Sequence, residues 1–397
     1  MFNPGFAPTH LLGTLPAILE KTWVFLDRLE KFAETGEEVP LLNSLINLTF
    51  DIIGAVVMDA DLNAQKTNDK DKGELIRVYN ELAGTYTDDL GSYPWWFTPR
   101  VRFRRQRLAR EIDSLIKPMI QAEHAKLRSG QSKLSRSVLS LSLQGIDELT
   151  EDQVSDIRDQ LKTFLFAGHD TTSILLSWIF YELSRTPRAL KAVRDELDQV
   201  FGPDPNPASV RDKLLAPGGE ELVSRMTYIS AVIKEALRLH PPASSARMAP
   251  PGSGFTLPTG TGEEVCVDGC VIYVCASIIQ RDRNVYGDTA DDFMPERWIG
   301  DTDTSEGTNM DAADDKGDRK IPISAWRPFE RGPRNCIGQE LANIEARVIL
   351  AVLARSYDFV KVGVGEFDLD SDGKPMLSEK GQYKVKSELY SVSFAAL

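Results

Sequence analysis

The 397-residue sequence predicts a mainly α-helical protein with small β-sheets, built as one large domain. Three observations predict it. Apolar residues recur at helical spacing through most of the first half and again over 339–357. Short strand-like runs punctuated by Gly and Pro are confined to 253–280 and to the tail from Asp358. No internal repeat and no linker-like stretch divides the chain. Composition is that of a globular protein, 42% apolar and 26% charged. A net charge of −13 argues against nucleic acid as a partner, because phosphate binding needs a basic surface.

The opening "MFNPGFAPTH" has no basic n-region and no apolar h-region, so it is not a signal peptide. "LPAILEKTWVFLDRLEKFAE" (15–34) is an amphipathic helix. "LINLTFDIIGAVVMDA" (45–60) is apolar enough to raise the question of a membrane span, but Asn47 and Asp51 interrupt it and it reads as a buried helix. Residues 74–84 continue the pattern. Residues 93–129 open on Trp95 and Trp96, carry six arginines within 99–110, and run on as an amphipathic helix. Those arginines fit a solvated helix face and a membrane-surface patch equally well.

Thr150 and Gln153 form a capping box that starts the next helix. Its apolar face runs from Val154 through Leu165 and Trp178 to Leu183, and Thr186-Pro187 ends it and opens another. That is one helix of about 35 residues, roughly 50 Å at 1.5 Å per residue. Its centre, "AGHDTT" (167–172), is a run of poor helix formers. "YISAVIKEALRLHPP" (228–242) is a helix stopped by Pro241-Pro242. "DTDTSEGTNMDAADDKGD" (301–318) reads as an acidic surface loop, and 339–357 as a strong helix.

The most specific stretch is "FERGPRNCIGQELA", in which Phe329, Gly332, Arg334, Cys336 and Gly338 fall at fixed offsets. A single Cys just before a strong helix meets backbone N–H groups and the positive dipole end, which favour thiolate, the form that ligates iron. The glycines allow tight turns and close approach of a flat ligand. Arg334 offers a forked cation to a carboxylate. A buried structural Cys is the ordinary alternative, but it has no use for Gly, Arg and Gly at these offsets.

This pattern resembles the cytochrome P-450 family of haem-thiolate monooxygenases. Glu235 and Arg238 in "KEALR" are similar to its Glu-x-x-Arg helix, and Pro295 to Trp298 in "FMPERW" to the segment carrying its downstream Arg, here Arg297. "AGHDTT" is similar to its oxygen-groove motif. The resemblance implies the cytochrome P-450 fold, haem b bound through Cys336, and a long central helix over the haem. It implies a buried Glu235–Arg238–Arg297 cluster that locks the loop before Cys336. It places Ala167 and Gly168 over the haem face, with room for dioxygen at Gly168, and gives Asp170 and Thr171 a proton relay for O–O cleavage. His169 is read as a satisfied helix residue rather than a ligand. Arg334 and Arg247 become propionate partners, Phe329 and Gly338 part of the cofactor pocket, and Phe164, Ala243, Ser244 and Ser245 part of the substrate pocket.

The same resemblance implies O2 and a small apolar substrate, electrons from a separate NADPH-cytochrome P-450 reductase, and a monomer. The style of the Cys motif is that of fungal microsomal enzymes of secondary metabolism, on the cytosolic face of the endoplasmic reticulum membrane. "MFNPGFAPTHLLGTLP" resembles the segment just after the family's Trp-x-x-x-Arg helix. The anchor and first strands would then lie upstream, leaving this chain soluble or peripheral. A haem-binding but inert, N-terminally truncated member of the fold is the alternative.

Two other patterns are set aside. Cys266, Cys270 and Cys275 cluster, but lack Cys-x-x-Cys spacing and a nearby His for zinc. "DLDSDGKPMLSE" carries Asp368, Asp370, Asp372, Gly373 and Glu379 at calcium-loop spacing, yet Pro375 interrupts it and its flanks read as strands. We read it as an acidic hairpin turn.

Overall fold

The periodic segments become helices α1 (Leu15–Thr35), α2 (Leu41–Met58), α3 (Glu74–Gly84), α4 (Pro99–Arg128), α5 (Glu151–Arg185), α6 (Pro187–Phe201), α7 (Thr227–Leu239) and α8 (Gln339–Leu353). Shorter helices and turns join them. The computed structural model describes residues 2–86, 95–130, 136–299 and 321–387, so the acidic stretch 301–318 lies outside the described residues. The chain divides into two compact units, Met1–Ile229 with Ile337–Leu397, and Ser230–Cys336.

In the first unit, α2 packs along α5. Leu45, Leu48, Phe50, Ile52, Ile53, Val56 and Val57 are all buried, which is why this helix is apolar on most sides rather than on one stripe. It is long and apolar enough to cross a membrane, yet two-thirds of it (67%) is buried within the protein. Its Asp51 is tolerated because the carboxylate accepts the backbone N–H groups of Ala64 (2.7 Å) and Gln65 (3.1 Å). Burial still pushes that carboxyl above its ordinary pKa.

Helix α5 starts at the expected capping box: the Thr150 hydroxyl accepts from Gln153 N–H, and Gln153 Oε1 accepts from Thr150 N–H. It runs unbroken for 35 residues, through the weak centre. Thr186 follows as the cap and Pro187 opens α6. On α6, Glu196 accepts the first free N–H groups of α7, from Tyr228 (2.6 Å) and Ile229 (2.9 Å).

The second unit holds two antiparallel ribbons. Strand β1 (Ser245–Met248) pairs with β4 (Val271–Val274), with Ser245 opposite Val274 and Arg247 opposite Ile272. Strand β2 (Thr256–Pro258) pairs with β3 (Glu264–Cys266). Strands β2, β3 and β4 fall in the strand-like stretch; β1 does not, because its Ser-Ala-Arg-Met has no alternation and its pairing is non-local. Cys266, Cys270, Cys275 and Cys336 are all free thiols. The tail after Asp358 forms isolated antiparallel bridges, Phe367 to Val385, Leu369 to Pro375 and Leu377 to Tyr383, rather than full strands. Asp370 there caps its own turn, accepting from Asp372 N–H and Lys374 N–H at 2.9 Å. No His, Cys, Asp and Glu group able to hold a metal occurs among the described residues.

Candidate active site

The second unit assembles its buried charges around Glu235. One turn apart on α7, Arg238 donates to it through both Nε (2.9 Å) and Nη2 (2.8 Å). Arg297 Nε donates to Glu235 Oε1 at 3.0 Å, Trp298 Nε1 to Oε2 at 2.9 Å, and Met294 N–H to Oε1 at 3.0 Å. Arg238 spends its other N–H groups on the carbonyls of Gln280, Ala290 and Asp292. Glu235 and Arg238 are both 0% exposed, so a charge cluster in this position needs all of these bonds. Tyr286 lies under both guanidinium groups, 4.7 Å from Arg238 and 5.7 Å from Arg297, and burial pushes its hydroxyl up to about 12.

Gln280 carries the cluster's geometry to the cysteine loop, and nothing in the sequence marks it. Its side-chain amide donates to the carbonyls of Leu237 and Arg238, both at 3.0 Å, and accepts Arg327 N–H at 2.7 Å. It is 0% exposed and its carboxamide uses donors and acceptor alike. Trp326 adds a second tie, donating to the Lys234 carbonyl at 3.1 Å. Trp298, Trp326 and Phe329 stack in series, with ring centroids 6.1 and 6.2 Å apart.

Beyond Phe329 the loop turns so that Cys336 N–H donates to the Phe329 carbonyl at 2.9 Å. Gly332 has φ +78°, and a Cβ there would meet no atom within 4 Å. Cys336, Arg334 and Arg247 are exposed. Arg334 has no ion pair among the described residues, and Arg247 Nη1 donates only to the carbonyl of neighbouring Ala246. Gly338 is the N-cap of α8, two residues past the thiol. An exposed thiol, an uncrowded backbone beside it and two exposed guanidinium groups form the donor set that a thiolate-ligated haem with two carboxylates requires. Ala243 and Ser244 are exposed, but the Ser245 hydroxyl is engaged with Glu330, so it is not open to a substrate as expected. Ser245 first, then Arg327 and the Arg247 charge, hold the Glu330 carboxyl below the usual range.

In the first unit, the middle of α5 keeps one accessible stripe at helical spacing: Phe166 and Ala167 are exposed, and Asp170, Thr171 and Ile174 half-buried. Thr171 Oγ donates to the Ala167 carbonyl at 2.8 Å. His169 faces the other way. It is buried, its Nδ1 lies 2.6 Å from the Leu165 carbonyl, and its ring stands edge-on to Phe50 and Tyr79. Burial lowers its pKa, so the ring is neutral with Nδ1–H as donor. Tyr79 was not legible as part of this region; burial first, and then the Asp170 charge, raise its hydroxyl above the ordinary range.

One expectation on this helix needs correction. Phe164 is buried in an aromatic cluster with Phe2 (5.3 Å) and Phe6 (5.1 Å), not in an open pocket. The accessible aromatic is Phe166, 63% exposed, on the far edge of the Ala167–Thr171 stripe. Half-buried Gly168 faces α2 with its missing side chain: a Cβ there would lie 2.7 Å from Ile53 Cδ1. The glycine lets α2 and α5 approach, and Thr49 Oγ1 of α2 sits 2.8 Å from the His169 carbonyl beside it.

A mostly helical protein with an exposed thiol on a loop braced by a buried Glu–Arg–Arg cluster defines the haem-thiolate class. Residues 1–386 match the cytochrome P450 family model, and the chain belongs to that family. It is 32% identical to the cytochrome P450 monooxygenase acrF of Aspergillus aculeatus, over 90% of this chain and 71% of that protein. It is 30% identical to the cytochrome P450 monooxygenase polC of Polytolypa hystricis, over 90% of this chain and 62% of the relative. Identity to the cytokinin hydroxylase of Arabidopsis thaliana is also 30%, over 90% of this chain and 63% of the relative.

Proposed function

We propose that the chain is the catalytic part of a haem-thiolate monooxygenase acting on a small apolar molecule in fungal secondary metabolism. The observation that carries the reading is the exposed Cys336 on a loop held by Gln280 and the Glu235 cluster. The two fungal monooxygenases among its relatives support the activity. A single family model running across both units supports treating them as one catalytic domain.

Haem b bound through Cys336 supplies reductive activation of dioxygen, so that substrate, O2, NADPH and a proton give oxygenated product, water and NADP⁺. Cys336 would hold the iron, and its loop is already braced by the Gln280 and Glu235 bonds. Arg334 and Arg247 would hold the carboxylates. Asp170 and Thr171, on the accessible stripe of α5, would supply the protons, and Phe166 beside them would meet the apolar substrate. Membership of the cytochrome P450 family supports an NADPH-cytochrome P450 reductase as the source of the electrons. We place the protein at the endoplasmic reticulum membrane. Trp96 (61% exposed), Phe97 (70%) and Phe103 (70%) beside exposed Arg100, Arg102 and Arg110 support contact with a lipid surface.

The test is the absorption spectrum of the dithionite-reduced chain, reconstituted with haem, under carbon monoxide. The strongly red-shifted Soret band of a thiolate ligand is expected, and Cys336→Ser should abolish it. An ordinary histidine-type band in both proteins would refute the assignment.

A further inference from the structure

Glu330 stands at a position that local backbone energetics disfavour. Its φ is +57°, in the left-handed region that a side-chain-bearing residue rarely enters. Such a residue persists when its surroundings over-determine it. Here the surroundings are three cationic or hydroxyl groups. The Ser245 hydroxyl of β1 donates to Glu330 Oε1. Arg327 Nη2 donates to Oε2 at 3.1 Å, from the same residue whose N–H is fixed by Gln280. Arg247 lies two residues along β1 from Ser245, and alternation puts both on one face of the strand. Glu330 itself follows Phe329, whose carbonyl receives the Cys336 N–H at 2.9 Å.

We propose that Glu330 is a positioning residue: its carboxylate latches β1, the strand carrying Arg247, to the loop carrying Cys336. The latch sets the spacing between an anion-holding guanidinium and the metal-binding thiol, and so holds the cofactor's carboxylate end in register with its iron. This rests on the haem-thiolate reading above. Glycine would relieve the left-handed φ, so a purely local effect predicts that Glu330→Gly stabilises the protein. The latch predicts loss of cofactor retention instead.

The experiment compares the full chain with Glu330→Gly, Ser245→Ala and the double variant. Haem transfer to excess apomyoglobin gives the release rate, and the reduced carbon monoxide spectrum gives the thiolate fraction. In parallel, alkylation of Cys336 in the haem-free chains is followed by peptide mass spectrometry. Loss of a hydrogen bond to a charged group corresponds to roughly a tenfold change. Glu330→Gly should therefore release haem roughly tenfold faster, lose part of the thiolate band and alkylate Cys336 faster, with far-ultraviolet circular dichroism unchanged. Ser245→Ala should move the same readouts in the same direction, and the double variant should add little to Glu330→Gly. Equal haem release and equal alkylation in Glu330→Gly and the parent overturn the latch. A parent chain that takes up no haem overturns the function proposed above, while the alkylation arm still decides whether Glu330 holds the loop.

Discussion

Thr49 Oγ1 lies 2.8 Å from the carbonyl oxygen of His169, and this bond ties the buried helix α2 to the weakest stretch of α5. One residue earlier, Gly168 lets Ile53 press against the helix backbone. Two observations thus give the run of poor helix formers a packing function. Thr49→Val should cost about 1 kcal/mol, the usual net value of one hydrogen bond. Gly168→Ala should cost about 1–3 kcal/mol by overpacking against Ile53. Ile53→Ala alone also destabilises, but combined with Gly168→Ala it should cost less than the sum of the two. Urea unfolding of the four proteins checks the coupling; strict additivity would remove the Gly168–Ile53 contact from the explanation.

Gln280 should be as sensitive as any charged member of its cluster. Gln280→Met keeps the shape but strands two carbonyls and the Arg327 N–H, a loss of about 2–4 kcal/mol if two groups stay unpaired. Gln280→Glu should be worse at neutral pH, because it sets a carboxylate against the carbonyls of Leu237 and Arg238. Acidification should recover part of that loss as the new carboxyl gains a proton. Thermal unfolding of both variants at neutral and mildly acid pH measures the difference.

These cases mark what the sequence holds. The long helix, its capping box and its termination at Thr186-Pro187 are legible because periodicity and caps are local signals. Cys336, Glu235, Arg238 and Arg297 are legible because residue types recur at fixed offsets. Gln280 and Tyr79 are not, since each acts through contacts with residues dozens of positions away. Phe164 and Phe166 are two residues apart on one helix, and only tertiary packing against Phe2 and Phe6 decides which is buried. Glu330 stands inside the most specific motif of the chain, yet at an offset where the pattern names no residue.

Glu345 on α8 gives the protein a pH-dependent weakness. Its carboxyl is buried, Oε1 has no hydrogen-bond partner among the described residues, and desolvation pushes its pKa well above the ordinary value. The folded state therefore keeps a proton that the unfolded chain releases. Stability is then highest below the ordinary glutamate pKa and falls as pH rises from there toward the folded pKa. Glu345→Gln removes that proton exchange. The stability difference between variant and parent should favour the variant increasingly from about pH 4.5 upward. Urea midpoints across mildly acid to neutral pH check it, since all other titrating groups cancel in the difference. A difference that stays flat with pH would mean the carboxyl is not a titrating, buried acid.

Thr171 is the prediction closest to the chemistry. Its hydroxyl rests on the Ala167 carbonyl at 2.8 Å, on the accessible stripe of α5, and Asp170 precedes it on the same stripe. A hydroxyl that back-bonds within its own helix can turn outward at little cost, because the rest of the helix stays hydrogen-bonded. Thr171→Ala removes that hydroxyl, the proposed proton donor, while leaving Cys336, Arg334 and the braced loop untouched. Haem content and the thiolate spectrum should therefore be unchanged. Oxygen activation without a timely proton should end in released hydrogen peroxide, so peroxide formed per NADPH consumed should rise several-fold as product per NADPH falls. Thr171→Ser keeps the hydroxyl and should stay near the parent. If Thr171→Ala couples NADPH use to product as well as the parent does, the hydroxyl only serves the helix, and the proton must reach the site by way of Asp170 or water.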